Sequence, residues 1–264
     1  MEYAATNSAQ TTSPPADFAP RQSYRWLRAF LPKRLQPVLR GLRKRLCLPF
    51  LRLEEPYRTV YPYTQVHLVR QKNLVRLAGL IDQNRIAGDI AECGVLDGGT
   101  AALMANASEH SPAGLGRKVH LFDAWEGLPQ VSAKDGEAAR AWSGEVVGSA
   151  ARVAAMMRKL GVSPRRVVFH RGWSSDTFPK AAPQIDRLAL LHLDADLYES
   201  TRLALKTWYP KLSPGAYVQI DDYDSFSGCR TALDEFFAAH PELQLETEGQ
   251  SVKAYYFMKP PEGQ

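Results

Sequence analysis

Apolar residues along this chain gather into short unbroken runs separated by longer stretches of helical spacing. The densest run, Leu188, Ala189, Leu190 and Leu191, lies in RLALLHLDADLY and gives way to Asp194 and Asp196. A strand buried on both faces of a parallel sheet has this composition, and acidic residues at its end mark the exit into a loop. Similar runs occur at residues 89–95 (DIAECGV), 118–124 (KVHLFDA), 166–170 (RVVFH) and 217–224 (YVQIDDYD), the last after the turn signal Ser213-Pro214-Gly215. Between residues 64 and 84 the spacing changes to a helical stripe of Val66, Leu68, Val69, Leu74, Val75, Leu77, Leu80 and Ile81. Residues 100–107, the Ala/Met/Arg-rich stretch before Gly161 and residues 229–239 also read as helices, and LQLE and KAYYFM near the end as further strands. Regular alternation of this kind predicts an α/β fold, a doubly wound and mostly parallel sheet.

The first 60 residues stand apart. Residues 1–23 are rich in Ala, Ser, Thr and Pro and are expected to be disordered. Residues 24–60 form a basic amphipathic arm, in which Pro32, Pro37 and Pro49 should divide any helix into short pieces. The first reading of the arm is a helical element packed on its own domain or on a dimer mate. The alternative is peripheral contact with an anionic membrane or a partner. Residues 61–264 then make one domain, in a chain whose 45% apolar content is ample for a core.

Charge follows the same division. Residues 1–53 hold ten Lys/Arg against Glu2 and Asp17, which leaves the remainder with 23 basic and 26 acidic side chains, a balance of −3. A domain of that sign with acidic strand ends argues against a nucleic-acid partner. Cys47, Cys93 and Cys229 are odd in number and widely spaced, which fits a reducing compartment. With neither a signal-peptide pattern nor an apolar run of about 18 residues, the expected location is the cytoplasm.

Ligands of open α/β sheets bind beyond the carboxyl ends of strands. Two neighbouring strands ending in HLDAD and IDDY would therefore gather Asp194, Asp221 and Asp222 around one point. Three carboxylates that close repel one another unless a hard cation neutralises them or one keeps its proton, so a divalent ion such as Mg²⁺ is the first reading. Asp194 and Asp196, two apart, would point the same way from extended backbone. Asp221 and Asp222 are neighbours and need a bend to face one site.

Residues 89–107 read as strand, glycine turn and helix start, with Glu92, Gly94, Gly98, Gly99 and Thr100 in E-x-G-x-x-x-G-G-T. The G-x-G-x-x-G of dinucleotide folds is incomplete here, and an acid just before Gly94 suits an ammonium group better than a phosphate. S-adenosylmethionine is such a ligand, and Asp123 at the next strand end would accept from its ribose hydroxyls. The bland reading of the glycines is a tight strand-to-helix turn.

The segments GDIAECGVLDGGTA, LFDAWEGLP, HLDADLYEST and YPKLSPGAYVQIDDYDSFSGCRTALDEFF together resemble the macrocin O-methyltransferase family, over residues 61–259. The resemblance implies a class I methyltransferase of Rossmann-like fold. It implies transfer from S-adenosylmethionine to a sugar hydroxyl, dependent on a metal and usually carried out by a dimer. On this chain it makes Asp194, Asp221 and Asp222 metal ligands and Asp196 the general base. It also supports Gly172 and Trp173, at the third strand end, as neighbours of the adenine. Thr64 would touch the methionine carboxylate, or merely cap a helix.

The rival readings are a methyltransferase for catechols or other vicinal diols, which aromatic walls formed by Trp125, Trp142 and Trp173 would favour, and a non-catalytic S-adenosylmethionine-binding protein. His170 and His192 read as packed histidines, Cys93 as a buried hydrophobe. Residues 133–148, with Gly136, Gly144 and Gly148, read as a mobile loop able to cover a site.

Overall fold

A computed structural model describes residue 32, residues 35–111 and residues 116–261. The expectation of disorder for residues 1–23, and the start of the arm, lie outside these. Seven strands form one sheet: β1 (Asp89–Cys93), β2 (Val119–Asp123), β3 (Val167–Arg171), β4 (Leu188–Leu193), β5 (Leu212–Ile220), β6 (Glu246–Glu248) and β7 (Ala254–Met258). Their order is β3-β2-β1-β4-β5-β7-β6. The first five run parallel, and β7 pairs antiparallel with both β5 and β6. The doubly wound, mostly parallel α/β prediction therefore holds.

Nine α-helices accompany the sheet among the described residues: α1 (Gln36–Cys47), α2 (Tyr57–Val60), α3 (Leu68–Gln83), α4 (Gly99–Glu109), α5 (Gly136–Ala139), α6 (Ala150–Lys159), α7 (Ser174–Ala181), α8 (Tyr198–Trp208) and α9 (Ser227–Ala239). Successive strand residues point to opposite faces, so Ile90, Val119, Leu121 and Leu190 pack under α3, α4 and α6. Ala91, Phe122, Leu191 and Leu193 pack under α7, α8 and α9, around Phe178 and Trp208. Both faces of β4 are fully buried, as its unbroken apolar run requires.

Two details depart from the sequence reading. Ser213-Pro214-Gly215 is not a turn before the strand but an irregularity inside β5: pairing with β4 jumps from Leu188↔Leu212 to Leu190↔Tyr217. Gly215 takes φ +79 there, and its amide donates to the Lys259 carbonyl at 2.9 Å. In the arm, Pro37 sits in the first turn of α1, where a missing amide costs nothing, and Pro49 comes after its end. The prolines thus bound one helix of 12 residues instead of breaking it. Val60, at the end of the segment assigned to the arm, is fully buried in the core.

Helix α1 is docked through its polar side. Arg40 donates to Asp97 at 2.8 Å and to the Val147 carbonyl at 2.9 Å, and Lys44 donates to the Thr64 carbonyl. Burial, then the charges of Arg40 and Arg43, push the Lys44 ammonium down to about 8. Gly41 is buried against the Arg152 guanidinium, where a Cβ would come within 2.3 Å of Nη2.

The order reverses between β1 and β4, and their ends approach closely. The Asp194 amide donates to Cys93 O at 2.9 Å, and a Cβ on Gly94, at φ +86, would lie 1.8 Å from the Asp194 carbonyl oxygen. Only glycine fits. Gly79, inside α3, has nothing within 4 Å of its would-be Cβ. Urea denaturation should therefore separate them: Gly94→Ala is expected to cost about 3 kcal/mol or more, and Gly79→Ala to stabilise by roughly 0.5–1 kcal/mol.

Candidate active site

The parallel ladder continues one residue past the strand ends, which aligns their tips. The Gly94 amide donates to Phe122 O at 2.9 Å, and that of Asp221 to Leu193 O at 2.8 Å. Asp221 thus prolongs β5, and the chain turns at Asp222, whose carbonyl accepts from Ser225 and Phe226 amides at 3.0 Å each. This is the bend that lets adjacent aspartates share a site. One carboxylate oxygen from each of Asp194, Asp221 and Asp222 lies within 4.8 Å of the others.

Asp196 reaches the same cleft by a different route from the extended backbone expected. It adopts φ +56, and its amide donates to Asp222 Oδ2 at 3.1 Å. A left-handed turn, permitted by aspartate's short polar side chain, brings it round. Burial first, and then the crowded neighbouring carboxylates, push Asp194 and Asp196 well above the usual carboxylate range. The same causes push Asp222 up to about 7, against the pull of Arg70.

Arg70 was not foreseen. From α3 its Nη1 donates to Asp221 Oδ2 at 3.1 Å and its Nε to the Lys253 carbonyl at 2.9 Å. It occupies one oxygen of Asp221 and leaves Oδ1 buried without a hydrogen-bond partner among the described residues. Three convergent carboxylates, one holding a buried unpaired oxygen, form an oxygen-only donor set that fits a hard divalent cation.

Thr64, Gly94, Thr100, Asp123, Gly172 and Trp173 line the cleft that holds these aspartates. Asp123 also clamps the loop after β1: Oδ2 accepts from the Val95 and Leu96 amides at 2.8 and 2.9 Å, and Oδ1 from Trp125 N at 2.6 Å. Three residues expected to touch the cofactor do not line the cleft. Glu92 stands opposite His192 in the β1–β4 register, and the two side chains, both fully buried, meet at 2.7 Å. Gly98, at φ +80, backs onto Val153, and Gly99 onto Tyr63 and Thr64. Both positions are packed too closely for a side chain.

A segment from Gly127 to Gly148 covers the cleft and is tied down more firmly than a mobile loop. Buried Asp135 accepts from Ser132 N and the Tyr198 amide, each at 2.7 Å, and its carbonyl accepts from Ser227 Oγ at 2.8 Å. The lid is thereby fastened to the first turns of α8 and α9. Leu128, Ala139 and Trp142 of the lid, with Phe226, give the cleft an apolar wall, and the Trp142 and Phe226 rings stand 6.1 Å apart. Trp125 is buried outside this wall, its Nε1 donating to Leu96 O at 2.9 Å.

Comparison with known proteins agrees with this architecture. Residues 54–256 match the family described as macrocin-O-methyltransferase (TylF). The chain belongs to the macrocin O-methyltransferase family. A Streptomyces olivaceus relative, an 8-demethyl-8-(2,3-dimethoxy-alpha-L-rhamnosyl)-tetracenomycin-C 4'-O-methyltransferase, is 35% identical over 66% of this chain and 67% of its own. The demethyldecarbamoylnovobiocin O-methyltransferase of Streptomyces niveus is 34% identical over 67% of this chain and 68% of its own. The solved structure of the O-methyltransferase NovP superposes with a TM-score of 0.66 at 30% identity, covering 75% of this chain and 82% of that one. This member of the family is an O-methyltransferase with the class I, Rossmann-like fold.

In this O-methyltransferase the two strand histidines pack as expected. His192 is held by Glu92, and His170 stacks on Phe122 with ring centroids 4.2 Å apart, its Nε2 3.1 Å from His120 Nδ1. Burial, then His120, push the His170 imidazole down to about 4. The unfolded chain therefore binds a proton that the folded one refuses between the ordinary value of 6.5 and about 4. This contribution to stability is present above that window and is lost as pH falls through it. His170→Phe is expected to flatten the acid side of the melting profile between those pH values. At the carboxylate cluster, Asp194→Asn replaces one of three crowded carboxylates, whose burial and mutual repulsion oppose ionisation. Calorimetry in EDTA at pH 7.5 should show a higher melting temperature, about 2–4 °C for each kcal/mol of relieved repulsion. Added Mg²⁺ should raise the melting temperature of the unaltered protein and leave that of the variant in place.

Proposed function

We propose that this chain transfers the methyl group of S-adenosylmethionine to a hydroxyl of a sugar or glycosylated compound, with a divalent cation such as Mg²⁺ held by Asp194, Asp221 and Asp222. What carries the reading is the meeting, in one cleft, of those three carboxylates with Asp196 and with the glycine-tipped end of β1. The Streptomyces olivaceus relative, whose name describes O-methylation of a rhamnosyl-tetracenomycin, supports the acceptor class.

The cation, when bound, supplies Lewis-acid polarisation of hydroxyl oxygens, and S-adenosylmethionine supplies a methyl group on cationic sulfur. The chain's own residues do the rest. Asp196 accepts the hydroxyl proton; the burial and neighbouring charge that raise its affinity for a proton suit it to act as a base near neutral pH. In the cleft they line, Asp123 would accept from the ribose, Gly172 and Trp173 would flank the adenine, and Thr64 and Thr100 would offer hydroxyls to the methionine end. The lid excludes water and fixes the acceptor against the cleft, and such alignment is worth about 7 kcal/mol or more when well arranged. Residues 61–264 are the catalytic domain in this reading.

The Trp142–Phe226 wall favours a second reading, a catechol or other flat vicinal diol, since aromatic rings offer faces for stacking. A methyl-transfer screen that pairs glycosides with catechols decides between them. For the mechanism, Asp196→Asn is expected to lower kcat by about 10²–10⁴-fold with S-adenosylmethionine affinity by calorimetry unchanged. Asp194→Ala should abolish stimulation by Mg²⁺. Equal turnover with and without EDTA would overturn the metal assignment.

A further inference from the structure

Among the described residues, six of the eight large apolar side chains left exposed belong to one short stretch: Leu35, Val38, Leu39, Leu42, Leu46 and Phe50. Their spacing places them on one side of α1 and the turn that follows it, with Leu46 68% and Phe50 86% exposed. A soluble helix normally turns its apolar stripe inward. Here the inward side is taken by Arg40, Gly41 and Lys44, locked onto Asp97, Arg152 and Thr64, so the leucines cannot roll into the core.

We propose that this outward stripe seats the protein on an anionic phospholipid surface. The choice of occupant rests on charge. Residues 24–53 contain nine Lys/Arg and no Asp or Glu; Arg40 and Lys44 are turned inward, whereas Arg43 and Arg52 of this segment are exposed. Pairing of two copies through this face would bring two such basic segments together, whereas an acidic headgroup layer is complementary to it. An apolar stripe flanked by arginines is the pattern of a helix lying in a bilayer interface. No helix among the described residues is long and apolar enough to cross a membrane, so the contact is one of resting on the surface. The lipid contact stands independently of the methyl-transfer reading.

The test is co-sedimentation of the full chain with phosphatidylcholine vesicles, with and without phosphatidylglycerol. Binding is expected to the anionic vesicles and to weaken as salt rises. The double variant Leu42→Glu, Leu46→Glu should weaken it on the order of a hundredfold with its thermal melt unchanged. Arg43→Glu with Arg52→Glu, which leaves the leucines in place, should also lower it. The proposal is overturned if the full chain stays in the supernatant with anionic vesicles, or if the leucine variant binds them equally well. It is likewise overturned if light scattering finds a dimer that the leucine variant splits while neither form binds lipid, which would make a second copy the occupant.

Discussion

Mutual repulsion among carboxylates is the constraint around which the cleft is arranged. Left to themselves Asp194, Asp221 and Asp222 would separate, yet each is attached to a strand end that cannot move without undoing the sheet. The ladder between β4 and β5, carried on by the Asp221 amide, sets their approach. Arg70 relieves the strain on one side only, since it reaches a single oxygen of Asp221 and its position is fixed by the Lys253 carbonyl. An apolar core on each face of the sheet supplies the rigidity that keeps this unfavourable arrangement in place.

Much of this was legible because period and punctuation are local properties. The short all-apolar run of β4, ending in acids, has the composition of a doubly buried strand, and a parallel sheet gathers the acids at its strand ends. What escaped depended on contacts far apart in sequence. Glu92 looked like a ligand of the cleft until the register set it against His192, 100 residues away. Ser213-Pro214-Gly215 carries every turn signal, and only the neighbouring β7 segment, which takes up the Gly215 amide, makes it part of a strand. The approach of Asp196 through a left-handed backbone leaves no mark on composition.

Arg70 is the instructive miss, because a signal did exist. It falls on the stripe shared by Leu74, Leu77 and Ile81, the side of α3 that faces the core. An arginine at such a position is costly to bury unless a carboxylate waits for it. A charged residue in phase with an apolar stripe points from sequence alone to a buried partner of opposite charge. Asp97 answers to the same logic: fully buried in the glycine turn, it meets both Arg40 and Arg152.

The anchoring of the lid through Asp135 separates two jobs within one chain. The Asp135 carboxylate is held at the root of α8 and its carbonyl at the root of α9, the helices that leave β4 and β5, while Ala139 and Trp142 lie in the span beyond the anchor. Exchange of those outer side chains can alter which molecules are admitted without disturbing the acidic centre beneath. The wall above the cleft can thus be edited apart from its floor, an interchangeable cover over an unaltered base.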